Sequence, residues 1–218
     1  LRTDGHALVA ANAPAVAYDR AIRSAFGIED QFVILIRTQR PEGIYHPVTL
    51  QTIRTLTEAL KALPGINPSN VVSLATEPGL QLKPGQLLRQ LLLEPPLTSA
   101  AELDRLRKDL QTIGLFTGTL VSADGRSAAI LMGVPAGADR TRLHRDVQGL
   151  LARTREASPD EILLTGPPVA EALLGIHILE DLGVPASLLG TTTRSHRESL
   201  PGAWPTSFFE LRGFIAQR

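Results

Sequence analysis

Five consecutive apolar residues, Phe32-Val33-Ile34-Leu35-Ile36, constrain this chain more than any other stretch. Neighbouring side chains of a strand point to opposite faces, so an unbroken apolar run rich in β-branched residues predicts a central strand covered on both faces or nearly so. A helix follows it. Pro47 suits a first helical turn, and Leu50, Ile53, Leu56, Leu60 and Leu63 recur at spacings of three and four up to Pro64-Gly65. Val71-Val72-Ser73-Leu74-Ala75 then reads as a second strand, parallel to the first across a right-handed crossover.

The pattern repeats later in the chain. Thr117 to Ser122, the Asp124-Gly125 turn signal and Ala128 to Val134 predict a hairpin. Asp139 is placed to cap a helix with Leu143, Val147, Leu150 and Leu151 on its apolar line and Arg140, Arg142, Arg145 and Arg153 on its outer, solvated face. Glu161-Ile162-Leu163-Leu164-Thr165 supplies the last strand. Two β-α-β halves predict an α/β (α+β) fold of the ferredoxin-like, split β-α-β type, with its core over residues 28–77 and 114–166. Residues 78–113 read as a helical insertion, in which Ser99 and Glu102 form a capping-box pair before Leu103, Leu106, Leu110 and Ile113. A short helix over Pro14 to Phe26, capped at Gly27, precedes the core. After it, residues 167–218 form a C-terminal segment: a helix from Val169 to about Leu182, a polar link from Gly190 to Pro205, and an amphipathic stretch opened by Ser207 and Glu210.

Composition narrows the function. With 22 basic and 22 acidic residues among 218, and only 4% aromatic, the chain lacks the charge and the stacking platforms of a nucleic-acid binder. It has no cysteine, hence no disulfide, thiolate nucleophile or Cys-ligated zinc. No nucleophile elbow, phosphate-binding loop, H-E-x-x-H motif or dinucleotide fingerprint occurs. The histidines, His6, His46, His144, His177 and His196, include no pair at the i, i+3 or i+4 spacing of helical metal ligands. No catalytic residue, metal or cofactor is expected. The remaining unusual feature is the leucine cluster Leu87, Leu88, Leu91, Leu92 and Leu93, which lies outside the core pattern and has Pro-Gly and Pro-Pro on its flanks.

Taken in order, several segments resemble a known family. They are Tyr18-Asp19 through Phe26-Gly27-Ile28-Glu29-Asp30, Ile44-Tyr45-His46-Pro47, Leu63-Pro64-Gly65-Ile66 with Val71-Val72-Ser73-Leu74, Leu120 to Gly125, and Leu164-Thr165-Gly166-Pro167-Pro168-Val169. Their sequence and spacing, from about Asp19 to Asp181, resemble the first periplasmic (porter) loop of exporters of the resistance-nodulation-division (RND) superfamily, in the MMPL and hopanoid-exporter branch. The resemblance implies a single porter domain over 1–218 in the periplasm, excised from an inner-membrane protein, with transmembrane helices before Leu1 and after Arg218. It implies no enzyme activity. It implies instead the binding and onward passage of an apolar lipid, a hopanoid or sterol, towards the outer membrane.

Candidate lining side chains are Leu87, Leu88, Leu91 and Leu92, with Phe116, Phe208 and Phe209. Expected partners are the lipid, the second periplasmic loop and transmembrane helices of the same transporter, a periplasmic lipid carrier and a second copy of the chain. Two alternatives stand beside this: a soluble α/β enzyme with an unrecognised site, marked by convergent polar groups in a pocket, and a subunit-docking domain without a ligand.

Overall fold

The computed structural model describes residues 13–26, 30–79, 81–83, 86–88, 90–135, 137–171 and 173. The chain divides into one compact unit, Leu1–Ile178, and a second, Leu179–Arg218, which lies outside the described residues, as do Phe208, Phe209 and the Ser207–Glu210 pair. The first unit is a mixed α+β structure. Its elements are α1 (Pro14–Phe26), β1 (Asp30–Arg37), α2 (Pro47–Lys61), β2 (Val71–Val72), β3 (Gln81–Lys83), β4 (Gln86–Leu88), α3 (Ala100–Ile113), β5 (Ser127–Val134), α4 (Arg140–Ala157) and β6 (Glu161–Thr165). Helical backbone resumes at residue 167.

One four-stranded sheet runs in the order β2-β5-β1-β6, with every neighbouring pair antiparallel. β1 is central, as the apolar run predicts, and its register against β5 sets Phe32 opposite Met132, Ile34 opposite Ile130 and Ile36 opposite Ala128. All six of these residues are buried. They pack with Leu50, Ile53, Leu56 and Leu60 of α2 and Leu143, Val147 and Leu151 of α4 in one core. The opposite face is less covered: Val33, Leu35 and Leu131 are half-buried and Leu163 is 39% exposed. The run therefore encodes a central strand without encoding equal burial on both sides.

Helix ends follow from their capping chemistry. Pro47 opens α2, and His46 Nδ1 accepts the Val48 N–H at 3.2 Å. Asp139 caps α4 by accepting the Arg142 N–H at 2.9 Å. In α3 the capping box is reciprocal: the Glu102 N–H donates to Ser99 Oγ, and the Ser99 N–H donates to the Glu102 carboxylate. Gly114 closes that helix in the left-handed conformation.

Three expected segments come out differently, each through turn chemistry. The strand read over 71–75 stops at Val72, because Ser73 Oγ accepts the Ala75 N–H and Thr76 Oγ1 accepts the Ser73 N–H, which bends the backbone out of the ladder. The first arm of the hairpin read over 117–122 is reduced to a bridge between Val121 and Ala128, since the Phe116 carbonyl takes the N–H groups of Thr119, Leu120 and Val121. The Asp124-Gly125 turn itself is present, with the Gly125 N–H on the Ser122 carbonyl. Finally, the segment 78–113 holds, besides α3, the antiparallel pair β3-β4, extended by a bridge between Pro78 and Leu91.

Candidate functional site

A cavity of about 520 Å³ lies over the outer side of α2, walled by the Leu93–Thr98 stretch and by the end of α4. Its volume falls within the range of roughly 300–1,000 Å³ that small-molecule sites occupy. The apolar wall comes from Pro47, Val48, Leu93, Pro96, Leu97 and Ala157. Hydroxyl groups also border it, but local bonding turns several of them inward. Thr52 Oγ1 donates to the Val48 carbonyl and Thr154 Oγ1 to the Leu150 carbonyl, both four residues back along their helices. Gln51 donates to Thr55 Oγ1 at 3.0 Å. With these groups satisfied, the threonines contribute mainly methyl surface, and the site is more apolar than its residue list suggests.

Beneath the groove a buried polar contact fixes α2 to the start of β6. Thr49 Oγ1 donates to Asp160 at 2.8 Å; the Asp160 side chain is 2% exposed, and the Arg40 guanidinium stands 3.9 Å from it. Arg40 Nε is buried and has no hydrogen-bond partner. Thr52 Oγ1 and Ser158 Oγ approach within 3.4 Å and join α2 to the end of α4. Leu93, buried in the core, anchors one end of the wall opposite. These contacts give the groove a rigid floor.

The predicted lining residues are placed as follows. Leu91 is half-buried and lines, with Leu92, a smaller cavity of about 200 Å³ that also meets Glu94, Glu102, Arg105 and Asp109. Leu92 and Phe116 belong to the buried core. Leu87 and Leu88 form part of β4. Leu97, unmarked in the sequence, borders both cavities. One signal in the sequence does point at the larger groove. The outer face of α2 over Val48, Gln51, Thr52 and Thr55 carries a single charge, Arg54, whereas the outer face of α4 is rich in arginine.

Elsewhere, ionisable groups serve the scaffold. His144 stacks on Phe32 with ring centroids 6.3 Å apart, and burial holds its pKa below the usual imidazole value. Arg140, read as part of a solvated face, instead donates to Asp30 at 2.6 Å and pairs with Glu171. Asp30 also accepts from Arg23, which in turn holds Asp19. Burial alone would raise the Asp30 pKa, but the hydrogen bonds from Arg23 and Arg140 outweigh it and leave the carboxyl below its ordinary value. Among the described residues, no group of three His, Cys, Asp or Glu side chains is placed to hold a metal ion. No helix among them is long and apolar enough to cross a membrane.

No protein-family model matches this chain, and no curated protein matches it. Its chemistry has to be argued from the groove.

Proposed function

We propose that this chain is the periplasmic, ferredoxin-like porter domain of an RND-type inner-membrane transporter, and that it binds an apolar lipid and passes it on towards the outer membrane. The strand order β2-β5-β1-β6, with α2 and α4 in the two crossovers, supports the split β-α-β part of this reading. The observation that carries it is the apolar groove beside the 78–113 insertion, bounded by Val48, Leu93, Pro96 and Leu97. Hiding about 500 Å² of apolar lipid surface at roughly 25 cal/mol per Å² is worth about 12 kcal/mol before ordering costs. A site of this kind needs shape and burial more than charge. Zero net charge and low aromatic content favour a weakly polar polycyclic cargo, a hopanoid or sterol.

The test is binding of a fluorescent sterol to the purified protein. Saturable binding lost on Leu97→Glu, in a variant that melts like the parent, is the expected result. Absence of sterol binding, or binding indifferent to Leu97→Glu, overturns the cargo assignment. The gene should also encode apolar segments of about 20 residues next to Leu1 and Arg218; flanks without them overturn the transporter assignment.

A second reading, a subunit-docking domain, is favoured by α1. On this helix Tyr18 is 70% and Ile22 52% exposed, while Asp19 and Arg23 of the same helix hold the ionic contacts. A sedimentation measurement decides it: a dimer dispersed by Tyr18→Ser and Ile22→Ser supports docking, and a monomer at high concentration removes it.

A further inference from the structure

We propose that the groove over α2 takes a second class of ligand, a long-chain amphiphile with a single carboxylate head, and that Arg54 selects it. This rests on the groove being a lipid site and adds a head-group preference. Of the fourteen described residues that line the cavity, Arg54 is the only ionisable one. It is half-buried, and among the described residues it makes no ion pair. Arg23, Arg37 and Arg140 each hold a carboxylate; Arg54 holds none among the described residues and stands at the edge of an apolar wall.

The surroundings favour an anion. Among the described residues, no Asp or Glu lines the groove to compete for the guanidinium. The first turn of α2 also has no acidic residue, but the field of the helix terminus fades within that turn, so the selection falls to Arg54 itself. Arg54 stands about 10 Å along the helix from Pro47, at roughly 1.5 Å per residue. Beside low-dielectric surface an ion pair is stronger than in bulk water, and the planar guanidinium matches a carboxylate through two parallel hydrogen bonds. One cation balances one negative charge. A phosphate monoester, with close to two charges at neutral pH, leaves the excess against the apolar wall. An acyl tail lies against Val48, Leu93, Pro96 and Leu97.

The experiment is a fluorescence titration of the 218-residue protein with cis-parinaric acid. Competition with octadecanoic acid and with octadecanol, which share a tail and differ in head charge, follows. The acid is expected to displace the probe at about tenfold lower concentration than the alcohol. Arg54→Gln should weaken the acid about tenfold and leave the alcohol unchanged within about twofold, while Arg54→Lys keeps part of the preference. Arg54 makes no ion pair among the described residues, so both variants should melt with the parent. Equal displacement by acid and alcohol, or equal weakening of both by Arg54→Gln, overturns head-group selection and leaves the lipid groove standing. Thr55→Trp fills the cavity and should abolish probe binding. If the probe binds Thr55→Trp as it binds the parent, or fails to bind the parent while a sterol also fails, the groove itself is not a lipid site.

Discussion

Gly43 shows how narrow the tolerance is at single positions. It sits at φ +67°, and a Cβ built there would stand 2.2 Å from the Gly125 carbonyl oxygen, an atom already bound by the Ile44 N–H. Gly43→Ala therefore combines left-handed strain of about 1–2 kcal/mol with a backbone clash. A loss of about 2–4 kcal/mol in urea denaturation is the expected outcome. The Thr49–Asp160 contact makes a second demand. Thr49→Val leaves a buried carboxylate oxygen without its donor and should cost about 1–3 kcal/mol by the same measurement. His144 adds a pH term. Its folded pKa lies below its unfolded value of about 6.5, so the unfolded chain takes up the proton first. Stability is then full above that value and declines as the pH falls through it. Melting temperatures recorded from pH 7.5 to 5.5 should fall, and His144→Gln should flatten the slope. Asp30 has the same sign lower on the scale: its stabilisation is present above the unfolded carboxyl value and is lost on acidification through the folded one.

At the scale of elements, charge ties α1 to β1. Its contacts to β1 run through Arg23 and Asp30, while Tyr18 and Ile22 face outwards. Asp30→Asn should accordingly speed amide exchange in α1 at neutral pH and leave exchange in α2 unchanged. Elements differ in how plainly the sequence announces them. The Leu50, Ile53, Leu56 and Leu60 stripe of α2, which ends at Lys61 before Leu63, and the Ser99–Glu102 capping box are local patterns with one geometric meaning, and both are legible in the sequence. β2 and the 117–122 arm are shorter than their sequence predicts because Ser73, Thr76 and the Phe116 carbonyl offer the backbone local partners that compete with a ladder. β3 and β4, three residues each, are too short to show a period. The groove was hidden for another reason. It is assembled from residues 47–55, 93–98 and 154–158, and no motif links stretches so far apart.

For the molecule as a whole, the core sheet depends on contacts distant in sequence. Arg37 of β1 pairs with Glu161 of β6, 124 positions later, with 2.6 Å between Nη2 and the carboxylate. Sheets that need such closures fold slowly compared with those built from neighbouring hairpins. The Asp30 cluster has a further consequence at this scale. α1 and the helical stretch bearing Glu171, far apart in the sequence, are fastened through Arg23 and Arg140 to one carboxylate. Two distant helices thus share a single rivet at one end of β1, so neutralising that carboxylate loosens both at once.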